Sequence, residues 1–283
     1  TRKKSDQKRR GFFYNVRVVF RDQLTPRSHR RLLWRWARHM AHLGVDTCKL
    51  PKINAANIHR YCDVSEVDRV REQYDKGQGL LVVSGHLGVY EHIGYILPNA
   101  EITLLTIFRP SPIPPISDVI NDIRSAGGQT MTDRKGGVRK SIRALRNGTA
   151  AAVMGDVSSK DSKVFAPFLG TLAATNSTAG VLHEKTGAPI VVVTANRVAR
   201  SKFKFHVWDI ISDSEDTQEG TKSQDIPTRI NDGLSRALCE YPEQWFWDSR
   251  RFRSRPEEEQ LDACGLPPQT HPEQAFPPPK AKA

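Results

Sequence analysis

Between Leu80 and Ile211 short apolar, β-branched runs alternate with amphipathic stretches, and this alternation restricts the fold more than any other feature of the chain. Leu80–Ser84, Ile102–Phe108, Ala150–Met154, Ile190–Ala195 and Phe203–Ile211 read as strands, the first as a buried one. Ile116–Ala126 closes at Gly127-Gly128, Val138–Arg146 at Gly148 and Thr178–Lys185 at Gly187, each a helix followed by a glycine stop; Thr228–Glu240 is a further amphipathic helix. Strands interleaved with helices predict an α/β fold: a central, mostly parallel sheet flanked by helices. The longest apolar runs, Gly79–Ser84 and Ala188–Ala195, fall far short of the roughly 20 residues of a membrane-spanning helix. A chain of 283 residues, 38% hydrophobic and 26% charged, suits one sizeable core and excludes a low-complexity protein.

The net charge of +12 is concentrated at one end. Up to Met40 thirteen basic residues face two acidic ones, so eleven of the twelve positive charges belong to that segment and the rest is nearly neutral. Anionic lipid and nucleic acid both match such a patch. Within His29–Leu43, residues Leu32, Leu33, Trp36, Ala37, Met40 and Leu43 recur at helical spacing with Arg30, Arg31, Arg35 and Arg38 between them. This basic amphipathic helix carries Trp34 and Trp36, types suited to a membrane interface; packing of its apolar face on the core explains the pattern equally well. The expected organisation is a basic, amphipathic, membrane-proximal segment over 1–45, an α/β domain over 46–256 and a proline-rich, disordered tail over 257–283. Cys48, Cys62, Cys239 and Cys264 match no zinc or redox spacing, which leaves no metal site and points to a reducing compartment.

Chemistry concentrates after the strand Leu80–Ser84, in Gly85-His86-Leu87-Gly88-Val89-Tyr90-Glu91-His92. Five steps of about 100° would place His86 and Glu91 on different sides of one helix, so they can meet only across a turn. With His86 at the strand end and Glu91 in the next helical turn, the carboxylate would hold one imidazole nitrogen and leave the other to take a proton from a substrate hydroxyl. Phe108-Arg109-Pro110 after the second strand, Asp133-Arg134-Lys135 before the basic helix with Arg139, and Gly155-Asp156 after the third strand lie where open α/β sheets build their sites.

These blocks, with Phe165-Ala166-Pro167-Phe168-Leu169-Gly170 and Thr175, Thr186-Gly187-Ala188-Pro189, and Pro242-Glu243-Gln244-Trp245-Phe246-Trp247 leading to Arg250-Arg251, occur in fixed order and span about Asn15 to Pro256. In that order they resemble the lipid A biosynthesis acyltransferases, the lauroyl and myristoyl transferases, within the lysophospholipid acyltransferase superfamily. The resemblance implies the glycerolipid acyltransferase fold and transfer of a fatty acyl group from a thioester to a lipid hydroxyl. It places the catalytic set on His86, Glu91, Arg124 and Asp156, and makes Arg109, Arg134, Lys135 and Arg139 candidates for binding phosphates of substrate. No resident cofactor is implied; acyl carrier protein or coenzyme A enters as the thioester co-substrate. The implied acceptor is a lipid A precursor, with a lysophospholipid, glycolipid or aminolipid as alternatives, and the implied location is the cytoplasmic face of the bacterial inner membrane, peripheral or anchored by a segment preceding Thr1. The family's residue after Asp156 is polar where this chain has Val157, and its histidine before the double arginine is Ser249 here. A basic nucleic-acid-binding protein is the competing class, without an aromatic RNA signature or zinc finger to support it.

Overall fold

A computed structural model describes residues 2–108, 114–133, 136–158, 164–212, 226–249 and 251–277, with side chains from Gly11 onward. Two helices, α1 (Arg2–Phe20) and α2 (Pro26–Lys49), lead through single helical turns into β1 (Cys62–Asp63), α3 (Val67–Tyr74) and β2 (Leu80–Ser84). Then come α4 (Ile93–Asn99), β3 (Leu104–Phe108), α5 (Pro114–Ala126), β4 (Thr130–Asp133), α6 (Gly137–Arg146) and β5 (Ala150–Met154). A hairpin of β6 (Phe165–Phe168) and β7 (Thr171–Ala174) precedes α7 (Thr178–Thr186), the long pair β8 (Ile190–Ala199) and β9 (Lys202–Ile211), and α8 (Ile226–Glu240).

Seven strands form one sheet in the order β1-β9-β8-β2-β5-β3-β4, parallel throughout except for β8 against β9. All five residues of β2 are buried, because a central parallel strand is covered on both faces. Alternate residues feed two cores. Leu81, Val83, Ile190 and Val192 pack with α1, α6, α7 and α8 through Phe12, Leu145, Leu182 and Leu234. Leu80, Val82, Val191 and Val193 pack with α3 and α4 through Val70, Ile93 and Ile96.

The two ends of the chain depart from the expected organisation. Phe12, Val16, Val19 and Phe20 of α1 are buried in the first core, so part of the 1–45 segment is integral to the domain. In α2 the apolar stripe turns inward, burying Leu32 and Leu43, while Trp34 stays 63% exposed. Part of the segment after Pro256, expected to be a disordered tail, packs on α1: Leu266 is buried, Phe276 lies 4.5 Å from the Phe20 ring, and Gln269 donates to the Val19 carbonyl at 3.1 Å, while most of 257–265 is exposed. Leu266 is buried and Phe276 half-buried against the first core, which ties this part of the proline-rich segment to α1.

None of the described helices is long and apolar enough to cross a membrane. All four cysteines are unpaired; burial pushes the Cys62 thiol up to about 12 and the Cys239 thiol to about 11. Among the described residues no three His, Cys, Asp or Glu side chains come together as a metal site.

Candidate active site

Strand register builds the centre of the site. β2 and β5 are parallel neighbours with Ser84 opposite Met154, so continuing both chains by two residues brings His86 beside Asp156. Glycine occupies the intervening position on each: the Gly155 amide donates to the Ser84 carbonyl at 2.7 Å, and a Cβ on Gly85 would stand 3.2 Å from the Asp156 carboxyl carbon. The His86 amide and Trp245 Nε1 donate to Asp156 Oδ2 at 2.8 and 3.0 Å, and His86 Nδ1 lies 2.9 Å from Oδ1. Burial alone would raise the Asp156 pKa, but the adjacent His86 and the N–H groups aimed at the carboxylate hold it below the usual range. A carboxylate only accepts, so Nδ1 carries the proton and Nε2 presents its lone pair. Burial also works against an imidazolium, yet Asp156 outweighs it and holds the His86 pKa above that of an ordinary histidine.

Glu91 takes a different partner from the expected one. It lies in the single helical turn Tyr90–His92 that follows Gly88, whose left-handed φ of 68° turns the chain where a Cβ would overlap the Ala195 carbonyl. From there its carboxylate accepts Arg124 Nε at 2.9 Å and Nη2 at 2.7 Å, a bidentate pair reaching across to the last turn of α5. The orienting carboxylate of His86 is thus Asp156, and Glu91 instead fixes Arg124. Burial disfavours the guanidinium charge, but the Glu91 pair raises the Arg124 pKa.

His86, Glu91 and Arg124 line one cavity of about 610 Å³, with Asp156 directly behind His86. The cavity runs between α4 and the face of β2, β3 and β5, walled by Val82, Ile93, Leu104, Ala152 and Met154. Its polar residues away from the histidine include Thr106 and Gln129, joined by a 2.8 Å hydrogen bond. The four residues expected to be catalytic are therefore brought together. Arg109, Arg134 and Lys135 lie outside the described residues, while Arg139 is exposed on α6 one step beyond Val138, which lines the cavity.

The segment Pro242–Trp247 has no assigned role in the sequence, yet it straps the histidine loop in place. The Gly88 amide donates to the Gln244 carbonyl at 2.9 Å, the Phe246 amide to the His86 carbonyl at 3.1 Å, and the Gln244 side chain pairs with both backbone groups of Arg197. Phe246 and Tyr90 pack 5.3 and 5.2 Å from the His86 ring. Its signal in the sequence is the density of aromatic residues after Pro242, which marks packing but not a target.

The model of the bacterial lipid A biosynthesis acyltransferase family matches residues 4–254. The chain belongs to this family. Two curated members of the group are 26% identical to it over 205 residues: the lipid A biosynthesis palmitoleoyltransferase of Escherichia coli (strain K12) and the lipid A biosynthesis acyltransferase of Shigella flexneri. Each alignment takes in 71% of this chain and 64% of the relative, so the chain spans just under two thirds of the length of either. Among solved structures, the 1-acyl-sn-glycerophosphate acyltransferase PlsC from Thermotoga maritima aligns over 85% of this chain and 98% of that one, with 14% identity and a TM-score of 0.41.

Proposed function

We propose that this family member transfers a fatty acyl group from an acyl thioester to a hydroxyl of a lipid acceptor, with a lipid A precursor as the acceptor. One observation carries the reading: an imidazole oriented by a buried carboxylate borders a largely apolar cavity of about 610 Å³. The partnered nitrogen of His86 makes the other a base, and the apolar walls suit an acyl chain. In the reaction Nε2 takes the proton of the acceptor hydroxyl while its oxygen attacks the thioester carbonyl. The tetrahedral adduct then expels the thiolate, which recovers that proton from the imidazolium. The ester forms, the thioester bond breaks, and no bond to the protein is made.

Asp156 stabilises the imidazolium that forms in this step. Arg124, fixed by Glu91, presents its remaining N–H groups to the oxyanion or to an acidic substrate group. Exposed Arg139, with Arg109, Arg134 and Lys135, would meet phosphates of the donor arm or acceptor headgroup. The exposed face of α2, with Arg30, Arg31, Trp34 and Arg38, suits an anionic membrane surface, and the reading places the protein at the cytoplasmic side of the inner membrane. The test is incubation of purified protein with acyl-carrier-protein and coenzyme A thioesters and a lipid A precursor, followed by mass spectrometry. A product heavier by one acyl group supports the reading; unchanged lipid with both donors, and an unchanged lipid profile in a deletion strain, would reject it.

A further inference from the structure

α5 is turned the wrong way for a helix on a water-facing surface. Ile116, Val119, Ile120 and Ile123 recur at the spacing of one helical face, yet Ile116 is 48% and Val119 56% exposed. Three polar residues turn inward instead, while Ile120 and Ile123 are half-buried: Ser117 is buried, Asn121 Oδ1 is buried without a partner among the described residues, and Arg124 is held by Glu91 in the cavity wall. The exposed carboxylates of the helix, Asp118 and Asp122, lie about 130° round from the centre of the apolar stripe at 100° per residue.

Two more exposed apolar side chains stand at the cavity mouth, Val138 at 42% and Val157 at 45%. Val138 opens α6, which has no acidic residue and exposes Arg139, Lys140 and Arg143. Exposed Val138 and Val157 therefore border an apolar cavity, with cations on α6, and α5, whose Arg124 lines the same cavity, carries exposed Ile116 and Val119. Apolar surface of this kind in water costs free energy unless a partner covers it.

We propose that the apolar flank of α5 and the mouth residues Val138 and Val157 seat on an anionic bilayer, so that the cavity opens toward the lipid phase. Ile116 and Val119 dip below the headgroups, and the α6 cations meet anionic phosphates. The inference rests on the reading of the acceptor as a membrane lipid. It adds to the α2 face a second membrane contact, one that the charge distribution of the sequence does not mark.

The test uses the full chain with exposed Cys48 and Cys264 changed to Ser and one new cysteine carrying a nitrobenzoxadiazole label, at Val119→Cys or, as control, at exposed Val198→Cys. Vesicles of phosphatidylcholine with about one third phosphatidylglycerol should shift the emission of the label at 119 to the blue and leave that at 198 unchanged. The Ile116→Ser, Val119→Ser double variant should bind these vesicles about tenfold more weakly. The proposal is overturned if the protein does not sediment with the vesicles, or if it does so without a shift at 119. A blue shift that arises without vesicles and grows with protein concentration overturns it too, since a second copy then covers the stripe. Acyl transfer to a detergent-dispersed acceptor is assayed on the same labelled protein. Failure there tells against the acyltransferase reading, while the fluorescence decides the surface.

Discussion

Replacing Asp156 with Asn keeps the shape of the side chain and removes what it does for His86. In the native protein Oδ2 accepts the His86 amide and Trp245 Nε1, and Oδ1 accepts the proton on Nδ1. The amide oxygen of Asn takes over the two contacts of Oδ2, which turns its NH2 group toward Nδ1 and forces that nitrogen to accept. The imidazole proton then moves to Nε2, the position that must abstract a proton. Turnover should fall by ~10³–10⁴-fold, about 4–5.5 kcal/mol at about 1.36 kcal/mol per decade, because general-base assistance is lost while the cavity is retained. The assay is kcat/KM against pH with a defined acyl thioester. In the native enzyme the acid limb should lie above the range of a free histidine, since Asp156 raises the His86 pKa and activity needs Nε2 unprotonated. Residual activity of Asp156→Asn should have its acid limb moved to lower pH. The raised His86 pKa also stabilises the fold at pH below the ordinary histidine value and ceases to do so as pH rises through the raised one. Native-like turnover with an unmoved acid limb in a folded Asp156→Asn protein would refute the role given to this carboxylate.

Glu91→Gln should lower kcat about tenfold, less than loss of His86, because Arg124 keeps one acceptor and its position; with side chains only 11% and 19% exposed, thermal unfolding should also show a loss of about 1–3 kcal/mol. Arg251→Met should destabilise strongly without touching the cavity. The fully buried guanidinium, its pKa lowered by burial to about 10, donates to the Ala174 carbonyl, Thr175 Oγ1 and Asn231 Oδ1, and each acceptor left bare costs about 1–3 kcal/mol in urea unfolding. A midpoint within error of the native protein would contradict that account.

The strands read most clearly from sequence are the two at the centre of the sheet, β2 buried throughout and β5 buried over its first two residues. Leu80–Ser84 and Ala150–Met154 stand as expected to the residue, because continuous apolar runs have one physical solution here. β4, Thr-Met-Thr-Asp at the sheet edge, carries no such run, and the β6–β7 hairpin hides behind Pro167 and turns through Leu169 and Gly170 at positive φ. α1 was obscured by its basic residues, although Phe12, Val16, Val19 and Phe20 sit at the spacing of one face. The residues gathered at the site were legible as types at strand ends, but their pairing was not. Five residues from His86 to Glu91 fit a direct contact as well as they fit separate partners. Only the β2–β5 register, a tertiary fact, sets Asp156 beside His86. The tail after Pro256 reads as loose from its prolines, and composition does not mark the contacts of its described part, Phe276 on Phe20 and Gln269 on the Val19 carbonyl, which depend on where α1 lies.

His86→Ala tests the central claim most directly, because every step of the proposed chemistry passes through Nε2. The variant should fold, since the side chain is 30% exposed and Asp156 keeps the His86 amide and Trp245 Nε1 as donors. Purified native and variant proteins would be given the same labelled acyl thioester and lipid acceptor, with the acylated lipid counted by mass spectrometry. The account predicts transfer by the native protein and a loss of at least about 10²–10⁴-fold in the variant, with circular dichroism unchanged. Acyl transfer at native rates by folded His86→Ala would contradict it.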